Sequence, residues 1–100
     1  MRLSGLIANV NTLVNRADML PEDKRSEIKQ SLKQVSEALL YSDPIGNAAV
    51  QENDAEIARM ITELSGLFTA ERVAEIEGVC RTLCEKIAQR NELLKLSKLG

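Results

Sequence analysis

Apolar residues recur every three or four positions along four stretches of the chain, the spacing that places side chains on one face of an α-helix. Polar and charged residues fill the positions between them, so each stretch predicts an amphipathic helix with one buried face. The four apolar stripes are Leu3, Leu6, Val10, Leu13, Ala17 and Leu20; Ile28, Leu32, Val35 and Leu39; Ile57, Met60, Ile61, Leu64 and Leu67; and Val73, Ile76, Cys80, Leu83, Ile87 and Leu94.

Prolines and a glycine separate these stripes. Pro21 and Pro44 each suit the first turn of a helix, and Gly66 suits the end of one. The breaks predict helices over residues 3–19, 21–42 and 69–98, with a further helix that ends at residue 66.

The sequence allows two alternatives for the first residue of that third helix. It begins at residue 44, or it begins afresh at Asn53, which Glu56 follows at the spacing of a capping box. Gly46 and Asn47 weaken a helix between these points, so whether residues 44–52 are helical is not determined by the pattern.

Short connections between consecutive helices favour antiparallel neighbours. The sequence therefore predicts an all-α fold: an antiparallel up-down four-helix bundle of two helical hairpins with a long C-terminal helix. A chain of 100 residues has the size of one domain, so residues 1–100 are expected to form a single bundle. With one Phe, one Tyr and no Trp, the core must be aliphatic.

The absence of histidine removes the commonest general base and every His-containing zinc motif. The sequence also contains no glycine-rich phosphate loop, so we expect no enzymatic activity, no cofactor, no metal site and no small-molecule substrate. Cys80 and Cys84 lie four residues apart, too far for an unstrained disulfide within one regular helix. They are interpreted as core or interface residues, with their redox state left open.

The net charge of −2 indicates no general attraction to nucleic acid or anionic lipid. No apolar run reaches the roughly 20 residues of a membrane-spanning helix, and no signal-peptide core is present. The expected location is therefore the cytoplasm.

The end of the fourth helix carries the first candidate site. At 1.5 Å per residue this helix is longer than the others, so its last turns are expected to overhang the bundle. The overhang either folds back over the open end or pairs with another chain. Its predicted partner-binding residues are Leu93, Leu94, Leu96, Leu99 and Arg90, with Arg90 interrupting the apolar seam.

A second candidate site lies on the second helix, where Arg25, Lys29 and Lys33 recur at four-residue spacing. This basic stripe could contact phosphate or an acidic partner, although a solvated helix face also explains it.

The favoured hypothesis is a non-enzymatic interaction or adaptor module that self-associates or docks a partner helix through its C-terminal helix. The alternative is a small regulatory protein that binds nucleic acid through the basic stripe. A protein partner or a second copy is the expected partner, and nucleic acid is the less favoured one.

Overall fold

The computed structural model describes residues 3–43 and 46–99, apart from the side chains of Ala70 and Leu99. Four α-helices follow one another, and no strand occurs in these ranges. Each of the three connections contains a single turn of 3-10 helix. The helices are α1 (Leu3–Arg16), α2 (Glu22–Leu40), α3 (Gln51–Ser65) and α4 (Val73–Leu99), and the turns are Ala17–Met19, Ala48–Val50 and Ala70–Arg72.

The third helix begins at Gln51, earlier than the capping-box alternative. Asn53 lies inside α3, and the side chain that caps the preceding 3-10 turn is Asn47, whose Oδ1 accepts the Ala49 N–H at 2.9 Å. Residues 44 and 45, where the other alternative placed the start, lie outside the described ranges. The fourth α-helix begins at Val73, after the 3-10 turn.

The apolar stripes of all four helices meet in one aliphatic core. Apart from Leu67, which is half-buried, every stripe residue is buried, and Ile7, Val14 and Phe68 pack on the outside of this core. Burial of this continuous apolar surface is the main stabilising contribution to the fold.

Polar contacts between helices show which helices are neighbours. The Ser36 hydroxyl of α2 donates to Asn11 of α1 at 2.9 Å, and Lys86 of α4 binds Glu56 of α3 at 2.8 Å. α1 also packs on α3, and α2 packs on α4. These contacts are compatible with the predicted bundle, and the molecule measures 48 × 19 × 18 Å. No helix in the described ranges is both long and apolar enough to span a bilayer.

Candidate functional site

Arg90 lies inside the apolar seam of α4 and is fully buried. It occupies the position between Ile87 and Leu94, three residues after one and four residues before the other, so helical periodicity directs its side chain toward the core. Arg90 places a charge in the apolar seam, and its role in partner binding stays a prediction. A charge at this depth requires partners, because an isolated ion inside a protein is strongly disfavoured.

The partners of Arg90 come from two other parts of the chain. Its Nε donates to Asp54 Oδ1 of α3 at 2.5 Å, and its Nη1 donates to the backbone carbonyl of Asp43 at 2.8 Å. Asp54 is itself buried, with a side chain 5% exposed. The third guanidinium nitrogen, Nη2, is also buried, and it has no hydrogen-bond partner among residues 3–43 and 46–99. A buried ion pair thus joins α3 to α4.

Gly46, the first residue of the segment 46–50, lies beside this ion pair. A Cβ atom built on Gly46 would clash with Asp54 Oδ2 and would lie 3.3 Å from Arg90 Nη2, so the backbone at Gly46 closely approaches both side chains. Val50 is fully buried at the end of the same segment. On the outside, Asn47 Nδ2 donates to Ser97 Oγ at 3.0 Å.

The predicted partner-binding leucines are not equivalent. Leu94 is 4% exposed, so it has partners within the chain, as its place on the apolar stripe of α4 predicts. Leu93 is half-buried, whereas Leu96 is 60% exposed. The side chain of Leu99 lies outside what the structure describes. Of the predicted partner-binding leucines whose side chains the structure describes, Leu96 is the one that faces solvent, and its role in partner binding stays a prediction.

Two further exposed apolar residues lie where α2 ends. Leu40 is 62% exposed and Tyr41 is 85% exposed. Tyr41 lines a shallow groove with Leu94, Lys95 and Lys98 of α4. The Lys98 ammonium forms a water-accessible ion pair with Asp43, which lies three residues beyond the end of α2, at 2.5 Å. We call the residues Leu40, Tyr41, Lys95, Leu96 and Lys98 the α2–α4 tip.

The basic stripe of α2 is partly engaged within the chain. Arg25 Nη2 donates to the Leu20 carbonyl at 3.0 Å, and Lys29 forms an ion pair with Asp18. The hydrogen bond from Lys29 lowers the pKa of the Asp18 carboxyl below its usual value. Lys33 is exposed. Two of the three cations of the stripe thus have partners within the chain, and nucleic-acid binding by the stripe stays a prediction.

The two cysteines lie on the core side of α4 as free thiols, Cys80 buried and Cys84 half-buried. Burial, together with the neighbouring Cys84 and Glu77, raises the pKa of Cys80 to about 12. Burial also raises the pKa of Cys84. Both are therefore protonated at neutral pH, a state that disfavours nucleophilic attack and metal binding. Within the described residues, no group of His, Cys, Asp and Glu side chains could hold a metal ion.

Asp54 is the site residue that the sequence patterns missed. It lies three positions before Ile57, on the apolar stripe of α3, just as Arg90 lies on the stripe of α4. One charge of each sign at seam positions of two helices is a signal that they form a buried pair, since unpaired charges are rarely buried. That signal indicates the pair without indicating which backbone carbonyl completes it.

The chain matches no protein-family model, and neither a curated protein nor a solved structure is significantly similar to it.

Proposed function

We propose that this protein is a non-enzymatic interaction module that self-associates or docks a partner helix through the α2–α4 tip. One observation carries the proposal. Met19, Leu40, Tyr41 and Leu96 are the large apolar side chains that stand exposed in the described part of the chain, and three of these four lie at the C-terminal ends of α2 and α4, which the Lys98–Asp43 ion pair brings near each other. Exposed apolar side chains that group together often mark protein–protein contact sites.

The composition of the tip suits such a contact. Tyr41 offers a large side chain with few rotatable bonds, and aromatic residues of this kind are enriched among residues that dominate binding energy. Lys95 and Lys98 border the groove and can orient an incoming chain through their charges. The apolar residues would supply affinity, and the lysines would supply orientation.

The architecture proposed for this module is the antiparallel up-down four-helix bundle. Contacts between α1 and α2 join Asn11 to Ser36 and Asp18 to Lys29, so one residue number rises as the other falls. The pairs Asp54–Arg90 and Glu56–Lys86 do the same for α3 and α4. We propose the cytoplasm as the location, because free thiols suit a reducing compartment.

The mass of the protein in solution tests self-association. Light scattering across a wide concentration range should show a mass that rises with concentration for the wild type. Leu96→Asp should weaken association roughly 10- to 100-fold, the loss expected when a leucine can no longer be buried in an interface. Gln89→Asp is the matched control, because it introduces the same charge two turns earlier on an exposed part of α4.

Tyr41 provides a direct reading of the site, since it is the only tyrosine and the chain has no tryptophan. Iodide should quench its fluorescence strongly in dilute solution and weakly once the protein associates. Association that leaves Tyr41 fully quenchable would place the interface elsewhere. A protein that stays monomeric at all concentrations would leave docking of a separate partner helix as the form of the proposal to test, by capture on immobilised wild type and Leu96→Asp.

A further inference from the structure

Buried residues follow the same spacing on α3, including the turn before it, and on α4. Counted from the end at which Asp54 meets Arg90, successive buried positions on each side lie four, three, four and three residues apart. The second position of each set is a charge, and the other positions are apolar. We call the two sets together the α3–α4 seam: Val50, Asp54, Ile57, Ile61 and Leu64 on one side, and Leu94, Arg90, Ile87, Leu83 and Cys80 on the other.

Apolar packing alone does not determine how far α4 is shifted along α3. Because the two spacings match, a shift by seven residues, about 10 Å along the helix axis, again places apolar positions opposite apolar positions. A shift by one turn, about 5 Å, does nearly the same. Aliphatic side chains of similar volume replace one another in cores at small cost. The seam therefore permits several registers with comparable apolar packing.

The two charges distinguish between these registers. In the observed register, Arg90 Nε donates to Asp54 Oδ1 at 2.5 Å, and both side chains are buried. A shift by seven residues in one direction places Arg90 opposite Ile61. The same shift in the other direction places Asp54 opposite Leu83. Burial of one ion-pair partner without the other carries a penalty that holds shifted registers below about 1% of the molecules.

Arg90 also aligns α4 with the end of α2. Its Nη1 donates to the carbonyl of Asp43, three residues beyond the end of α2, at 2.8 Å. A shift of α4 breaks this hydrogen bond together with the buried ion pair. The ion pair between Lys86 and Glu56 differs, because water reaches both side chains and they keep their hydration in any register.

We infer that the Asp54–Arg90 pair determines the register of α4 on α3, selecting one alignment from several that apolar packing permits. This role rests on the antiparallel pairing of α3 and α4 proposed above, and it does not require partner binding. Its consequence for the α2–α4 tip rests on the proposed function, because the register sets which residues of α4 lie beside Tyr41.

The distance between two spin labels, measured by pulsed electron paramagnetic resonance on dilute protein, tests the inference. The labels are attached through Glu63→Cys on α3 and Glu92→Cys on α4, both at exposed positions. The native thiols are removed by Cys80→Ala and Cys84→Ala. In the observed register the labelled positions lie roughly 20 Å apart, and we expect this one distance in the reference protein. A reference distance well outside this value would refute the antiparallel pairing.

Asp54→Leu/Arg90→Met in the labelled protein removes both buried charges. We expect at least one further distance, displaced by about 5–10 Å, in about a tenth of the molecules or more. Glu56→Leu/Lys86→Met is the matched control, because it removes the water-accessible pair between the same two helices by corresponding changes. The control should keep the single distance of the reference protein.

A single distance in Asp54→Leu/Arg90→Met, equal to that of the reference protein, would overturn the inference. If this variant loses its helical circular dichroism, Asp54→Asn/Arg90→Gln replaces it, because this change removes both charges and nearly preserves side-chain size. Unfolding of both variants would also overturn the inference, since the pair would then be required for folding and not for the choice of register. Because the measurement involves no partner, failure of the proposed docking would leave its outcome unchanged.

Discussion

Replacing Asp54 with alanine should destabilise the protein severely, because it leaves the guanidinium of Arg90 buried without a counter-charge. Arg90 is 0% exposed, and after the change its remaining acceptor would be the Asp43 carbonyl at 2.8 Å. Removing one partner of a buried ion pair typically costs about 3–5 kcal/mol. A domain of this size is stable by about 5–15 kcal/mol, so the change removes a large part of the total.

The double variant Asp54→Leu/Arg90→Met separates the loss of the pair from the cost of an unpaired charge. Replacing a buried ion pair by apolar residues of similar volume is often neutral, or stabilising by about 1–4 kcal/mol. The double variant should therefore be at least as stable as the wild type within about 1 kcal/mol, while Asp54→Ala unfolds at a temperature lower by roughly 12–40 °C. Far-UV circular dichroism in urea and on heating measures both, since the helices supply the signal.

Glu56→Ala is a matched control within the same pair of helices. Glu56 binds Lys86 at 2.8 Å, but these side chains are 41% and 29% exposed. An ion pair that water reaches contributes about 0–1 kcal/mol. If Asp54→Ala costs no more than Glu56→Ala, or if the double variant is as unstable as the single one, the reasoning that burial makes Arg90 dependent on Asp54 is refuted.

Three further predictions concern glycine and cysteine. Gly46→Ala should destabilise the protein by about 1–3 kcal/mol in urea unfolding, because the new Cβ would clash with Asp54 Oδ2. Gly78→Ala should instead stabilise the protein by up to about 1 kcal/mol, because its Cβ would meet nothing within 4 Å. Equal effects of the two changes would contradict the close approach. In the folded protein, a thiol reagent at neutral pH should modify Cys84 slowly and Cys80 more slowly still. Both cysteines should react rapidly only in denaturant. Fast labelling of Cys80 in the folded protein would disprove its burial. Because the pKa of folded Cys80 is raised from 9.0 to about 12, its contribution to stability is fully present below pH 9 and is lost as the pH rises toward 12. Urea titrations should therefore show a smaller alkaline loss of stability for Cys80→Ala than for the wild type, and parallel curves would count against the raised pKa.

The helices and their buried faces follow from the sequence alone. Leu3, Leu6, Val10 and Leu13 recur at helical spacing, and all four are buried on α1. The same holds for the stripe of α4 from Val73 to Leu94. This success has a local cause, since the helical repeat connects residues only three or four positions apart and needs no knowledge of the neighbouring helices.

Details at the helix ends depended on competing local signals. Asn53 with Glu56 resembles a capping box, yet Asn53 lies inside α3, and Asn47 caps the 3-10 turn that precedes this helix. That turn ends at Val50, which is buried. Burial of an apolar side chain outweighs the preference for one cap over another, because burial contributes at least as much free energy as a cap does.

The long last helix shows which features follow from the sequence and which depend on the tertiary structure. From its sequence alone come the amphipathic pattern of α4 and its apolar seam, which includes Leu94. The burial of Arg90 was decided by the tertiary structure, which places Asp54, 36 residues earlier in the chain, 2.5 Å from its Nε. Charge pairing across that separation depends on which helices are neighbours and on their register. For the same reason, the close approach of Gly46 to Asp54 and Arg90 could be settled only in three dimensions.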